Sequence, residues 1–114
     1  MMHNQGDILL VPLPFTDLSS YKKRPVLVLS KQSYNDAADD LIVAAVTSNL
    51  DAKQYTVIFA NSDMLDGTLI VDSCIRVDKI YTLSQSLVVK RFSKVKPEII
   101  EKVKEKLLNL MIEN

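Results

Sequence analysis

The chain has 114 residues, enough for one domain with its own core and too few for two. Fourteen basic residues cancel fourteen acidic ones, so no global field draws the molecule to nucleic acid and any polyanion site must be local. Hydrophobic content of 47% beside 25% charged residues argues against disorder, and the longest apolar runs, such as Leu41–Val46, are far too short to span a membrane.

The single cysteine, Cys74, excludes an internal disulfide and fits a reducing compartment, where a lone buried thiol is the ordinary expectation. Residues 1–5 carry no basic segment feeding an apolar one, so export is not indicated and a cytoplasmic location is expected. These five residues, His3 among them, read as a flexible N-terminal tail on a single domain spanning 1–114.

In chain order, Gly6-Asp7 is a turn signal feeding Ile8–Val11, a buried strand that Pro12 and Pro14 end or push to a sheet edge. Phe15–Tyr21 is a loop whose two aromatic rings either anchor it to the core or offer faces on which bases stack. Lys22, Lys23 and Arg24 then run straight into Pro25–Ser30. That run is apolar at both alternations, so it reads as a central strand opened by Pro25, with Arg24 just outside the sheet at its mouth.

Lys31–Asp40 is polar, with one helical turn expected around Ser33–Ala37. Leu41–Val46 is a third buried strand, and Thr47-Ser48-Asn49 at its end suit either turn chemistry or a phosphate site. Tyr55–Phe59 is a shorter strand, Asp66-Gly67 a turn, and Thr68–Val71 a returning strand. Along 72–78 the residues alternate: Ile75 and Val77 face the core, while Asp72, Cys74, Arg76 and Asp78 share the polar side. Arg76 and Asp78 there form either a structural ion pair or half of a site.

Pro97–Met111 is the clearest helix. Proline suits its first turn, Glu98 and Glu101 complement the helix dipole, and Ile99, Ile100, Val103, Leu107, Leu110 and Met111 recur at three- and four-residue spacing to pack on the sheet. Five to seven short strands with one C-terminal helix argue for a mainly β fold, a small, curved, antiparallel sheet.

For chemistry, one histidine and one cysteine provide no zinc spacing and no nucleophile dyad, and two glycines exclude a glycine-rich phosphate loop. A second basic cluster, Lys90, Arg91, Lys94 and Lys96, reads as solvated surface as readily as a site. What remains are arginines, hydroxyls and carboxylates near strand ends, suited to binding phosphate and stabilising charge.

Gly6-Asp7-Ile8, the loop residues Pro14-Phe15-Thr16, the run Lys23–Ser30, then Val46-Thr47-Ser48, and finally Asp72-Ser73 with Arg76-Val77-Asp78 together resemble the MazF/PemK family of toxin endoribonucleases, from about Gly6 to Met111. The resemblance implies an SH3-like, CcdB/MazF-type β-barrel with the C-terminal helix, a homodimer, and metal- and cofactor-free, sequence-specific cutting of single-stranded mRNA. It also implies a cognate antitoxin whose disordered tail fills the RNA groove. On it, Arg24, Thr47, Arg76 and Asp78 are the catalytic residues. Phe15, Thr16, Tyr21, Lys22, Lys23, Ser48 and Asn49 are the RNA-binding ones.

Within that set, Asp78 is the candidate general base, provided partial burial raises its pKa. Arg24 suits the role of phosphate clamp. Arg76 suits charge stabilisation, since a guanidinium is a poor proton donor. Two departures stand out: the first loop, Phe15–Lys23, lacks the histidine seen in the plasmid Kid/PemK branch, and Arg91-Phe92-Ser93-Lys94 stands where relatives often have glycine. The alternatives are a same-fold toxin that acts by binding protein, as the gyrase-poisoning CcdB family does, and a non-cleaving regulatory relative.

Overall fold

The computed structural model describes residues 3–14, 21–51, 54–69 and 71–113. Its elements run β1 (Asp7–Pro14), β2 (Tyr21–Val28), α1 (Gln32–Ala37), β3 (Asp40–Thr47), β4 (Thr56–Phe59), β5 (Met64–Gly67), β6 (Ser73–Ser84), β7 (Lys90–Val95) and α2 (Pro97–Met111), with short 3-10 turns at Asn61–Asp63 and Gln85–Leu87. The strands form one antiparallel seven-stranded sheet in the order β4-β6-β3-β2-β1-β7-β5. The mainly β fold with a C-terminal helix is as expected. No described helix is long and apolar enough to cross a membrane.

The sheet carries a core on each face, which is why β2 and β3 are apolar at both alternations. Ile8, Leu27, Ala44, Val46, Val57, Ile75 and Val77 form one cluster with Ile99 and Val103 of α2. Leu9, Val11, Leu13, Val26, Val28, Leu41, Val43 and Leu83 form the other. Burial of Ile99 and Val103 contributes about 2 kcal/mol each relative to exposure. The apolar stripe of α2 packs on the core as far as Leu107. Leu110 and Met111, expected to pack, are 40% and 71% exposed.

The prolines fall where the ladder tolerates them. β1 pairs with β7 only as far as Leu10 but with β2 as far as Pro14, so Pro12 and Pro14 lie where β1 is an edge on one side. Contrary to the expectation from sequence, Pro25 does not open β2. The strand starts four residues earlier, and Pro25 stands just before pairing with β3 begins at Val26, where a missing N–H costs no ladder bond. Arg24 is consequently inside the sheet, opposite Val11, and not outside its mouth.

Three further expectations are corrected. β5 occupies Met64–Gly67, where Asp66-Gly67 read as a turn, and Thr68 and Leu69 follow it outside any strand; Gly67 sits at φ +75°, hard against Phe92 and Ser93 of β7. The segment 90–95 is a strand, not merely a basic run. His3 is buried, not part of a mobile tail. Its carbonyl accepts from Asn35 Nδ2 (2.9 Å), and the same amide donates to the Ser30 carbonyl (3.0 Å) while its oxygen takes the Ser30 hydroxyl. Burial lowers the His3 pKa. Ser30, which closes the apolar run, is thus a structural tie that also accepts from the Ile42 N–H.

Candidate nucleic-acid interface

Cross-strand register assembles the site. One row runs straight across five strands: Leu9 of β1, Val26 of β2, Ala45 of β3, Arg76 of β6 and Thr56 of β4. The next row holds Val11 and Arg24 on one side, and Thr47, Cys74 and Ile58 on the other. The β2–β3 ladder ends at Val26–Ala45, and its register carried two residues further sets Arg24 opposite Thr47. Residues directly opposite share a face, so Arg24, Thr47 and Arg76 project from the same side of the sheet. Thr47 and Arg76 are diagonal neighbours, roughly 7–8 Å apart along the backbone and somewhat closer at Cβ. Arg24 lies on the next strand over from Thr47, two residues beyond the last paired position of β2 and β3. Two guanidiniums on long stems therefore flank one hydroxyl, a spacing that suits a single phosphodiester.

Arg76 is held in place. Its Nε donates to Asp78 Oδ1 and its Nη2 to Asp78 Oδ2, both at 3.1 Å, a planar fork onto a carboxylate. Both side chains keep partial exposure, 21% for Arg76 and 34% for Asp78. The hydrogen bond from Arg76 outweighs desolvation and lowers the Asp78 pKa. The condition attached to Asp78 as general base, a pKa raised by burial, is therefore not met: the carboxylate is stabilised as an anion and spends its lone pairs on the neighbouring guanidinium.

The fork sits at an irregularity. Ala45 pairs with Arg76 but Ala44 pairs with Ile80, so Val77, Asp78 and Lys79 bulge out of the β3 ladder. Val77 sinks into the core, and its N–H reaches the Tyr55 carbonyl at 2.9 Å. Cys74, expected on a polar face, is buried, flanked across the sheet by Thr47 of β3 and Ile58 of β4.

At the end of β3, Thr47 Oγ1 accepts from the Asn49 N–H (3.1 Å) and Asn49 Oδ1 accepts from the Asp51 N–H (3.0 Å). Those oxygens make the turn, which leaves the Thr47 hydroxyl proton available to donate, and Ser48 is exposed beside them. The three-residue basic cluster divides. Lys22 and Arg24 share the site face, whereas Lys23, one residue out of phase, belongs to the opposite face. Phe15 and Thr16 lie outside the described residues, and Tyr21 enters the description only as the first residue of β2.

The second basic cluster is largely structural. Arg91 bridges Asp7 (3.1 Å), whose side chain is 2% exposed, and Asp66 (2.9 Å), tying β7 to β1 and β5. Its pKa is raised, chiefly by the Asp66 hydrogen bond, and that of Asp66 is lowered by the same bond. Lys90 lies over the Phe92 ring at 4.8 Å. Among the described residues no three His, Cys, Asp or Glu side chains converge as metal ligands.

Two residues of the site face escaped the sequence reading, Thr56 and Ile58 of β4, which stand beside Arg76 and Cys74; Ile58 is 52% exposed. The alternation of Thr56 and Ile58 with buried Val57 and Phe59 was the available signal.

Comparison with known proteins places this geometry. Among curated proteins none matches the chain. Among solved structures, an endoribonuclease in complex with its cognate antitoxin from Mycobacterial species is 20% identical, with a TM-score of 0.75 over 97% of this chain and 99% of that one. A MazE-MazF structure (Form-II) from Deinococcus radiodurans is 18% identical, with a TM-score of 0.76 over 97% and 96%. A second MazE-MazF structure (Form-I) from the same organism is 25% identical, with a TM-score of 0.69 over 97% of each chain. The model of the PemK-like, MazF-like toxins of type II toxin-antitoxin systems matches residues 4–111, and the chain belongs to that family.

Proposed function

We propose that this chain is the toxin of a type II toxin-antitoxin system and acts as a metal-independent, sequence-specific endoribonuclease on single-stranded mRNA. The observation that supports this most directly is the cross-strand register that sets Arg24 and Arg76 on one sheet face on either side of Thr47. In the proposed reaction the 2′-hydroxyl gives up its proton to water and its oxygen attacks phosphorus to form a new P–O bond, while the P–O5′ bond breaks and the leaving 5′-oxygen takes a proton from water. The products are a 2′,3′-cyclic phosphate and a free 5′-hydroxyl. Arg24 and Arg76 stabilise the extra charge of the pentavalent phosphorane, and the Thr47 hydroxyl donates to a phosphate oxygen or orients the 2′-hydroxyl. Asp78 acts through Arg76, fixing the plane of its guanidinium.

Lys22, with Ser48 and Asn49 at the end of β3, extends the face along which RNA would lie. Phe15, Thr16 and Tyr21 are proposed to flank it, and Lys23 to add charge from the opposite face. The single domain, the homodimer, the cognate antitoxin that competes with RNA and the cytoplasmic location belong to the same proposal.

The test is incubation of the purified protein, free of antitoxin, with a long unstructured RNA in EDTA, followed by mapping of cut sites and end chemistry. Cuts at a short recurrent sequence with cyclic or 3′-phosphate and 5′-hydroxyl ends are expected. Arg24→Ala should lower the rate at least about 100-fold, the scale for losing one fixed charge-stabilising donor. A folded protein that leaves the RNA intact would overturn the reading in favour of a toxin that binds a protein target.

A further inference from the structure

Among the described residues Tyr55 is the one non-glycine at positive φ (62°). A bulky residue rarely adopts that conformation, and it persists only where the surroundings fix it from more than one side. Tyr55 is fixed from two. Its ring packs against the core cluster that includes Val57, Ile75 and Val77, and its carbonyl takes the Val77 N–H at 2.9 Å. Val77 is the first residue of the bulge in β6, between Arg76 and Asp78 in sequence, and its side chain is fully buried. Tyr55 also immediately precedes Thr56, which pairs with Arg76. The backbone carrying the Arg76–Asp78 fork is thus pinned at its midpoint by the carbonyl of a residue in a disfavoured conformation.

We propose that Tyr55 is a positioning residue for RNA cleavage: its left-handed backbone locks the β6 bulge that presents Arg76 and Asp78. This rests on the endoribonuclease reading for its consequence but not for its structural content. Were the Tyr55 carbonyl to swing away, Val77 would lose its N–H partner, and the bulge would be free to slide toward regular pairing with β3. The guanidinium plane would then no longer be fixed before substrate arrives.

The test compares Tyr55→Asn with Tyr55→Val. Both remove the ring, so both should melt below the native protein. Asparagine tolerates positive φ and a β-branched valine does not. Expected is a kcat on RNA lowered at least about tenfold in Tyr55→Val at nearly unchanged KM, with Tyr55→Asn within about threefold of native, the pattern of an interaction used in the transition state. A second readout needs no cleavage: solvent exchange of the Arg76 Nε–H, measured by NMR, should quicken about tenfold in Tyr55→Val and stay near native in Tyr55→Asn. Equal kcat or equal exchange in the two variants overturns the proposal. A native protein that cuts no RNA overturns the endoribonuclease reading, and the exchange comparison then decides the Tyr55 proposal alone.

Discussion

Replacing Asp78 by asparagine separates its two conceivable roles. In the native chain the carboxylate accepts two guanidinium hydrogen bonds at 3.1 Å, each charge-assisted. An amide offers one acceptor oxygen and turns an NH2 group toward the other guanidinium nitrogen, so at least one bond and the charge assistance are lost. Buried, that would cost several kcal/mol; with Asp78 about one-third exposed, solvent screening brings it to about 1–2 kcal/mol. If that orientation is used in the transition state, kcat falls about 5- to 30-fold. The sign of the pH effect follows from the lowered pKa of Asp78. The pair persists in its ionised form below the ordinary carboxylate value of 3.8, so it contributes stability above that value and loses it as the pH falls through the lower native one. Titration of Asp78 should therefore leave no inflection in the cleavage rate between about pH 5 and about pH 8. The assay is single-turnover cleavage of a short RNA across that range for both proteins. A native rate that rises around pH 6 and goes flat in Asp78→Asn would refute the argument and restore Asp78 as the base.

Two further substitutions test the scaffold. Arg91→Met strands the buried Asp7 carboxylate. Breaking a fully buried pair costs about 3–5 kcal/mol, and the 40% exposure of Arg91 reduces this to about 2, or a Tm lower by about 8 °C, with RNA affinity little changed. Asp66→Asn should move the Tm little, since that arm is solvent-exposed, and equal losses from the two would place the pair's value elsewhere. In Gly67→Ala the new Cβ would lie 2.4 Å from the Phe92 carbonyl and 2.7 Å from Ser93 Cα, both backbone atoms, at φ +75°. A loss of about 3 kcal/mol in denaturant unfolding is expected as β5 is forced off β7, and an unchanged midpoint would show that the edge strand relaxes without cost.

How much of this was legible in the sequence depended on the range of the signal. Pro97 and the three- and four-residue spacing after it gave α2 its bounds, because capping and amphipathicity are local. The same periodicity could not say that Leu110 and Met111 stay exposed. Charged residues masked strands where they belong to half-exposed ladders: Lys22 to Arg24 extended β2 backward unannounced, and Lys90 to Lys94 hid β7. The candidates Arg24, Thr47, Arg76 and Asp78 were named by motif, but not their relation in space. That relation is a register between strands, and the three-residue bulge at Val77–Lys79 that shapes it contains no glycine or proline to mark it. The condition placed on Asp78 as a base, a raised pKa, went unmet for a similar reason. Spacing brought a cation within reach, but only geometry showed the cation outweighing desolvation.

The sheet order also has a consequence for how activity arises as the chain folds. Arg24, Thr47 and Arg76 come from three strands adjacent in space but far apart in sequence, and β1, beside β2 in the same sheet, is completed on its other side by β7, pairing Asp7 with Lys94. Such distant pairings are slow to form because loop closure precedes the contacts that reward it. A chain grown only through β3 holds Arg24 and Thr47 without the Arg76–Asp78 fork, and one grown through β6 still lacks β7, with Asp7 unneutralised by Arg91. The complete constellation is thus a late product of folding, contingent on the last strand, and newly made or partly unfolded chains would not carry it.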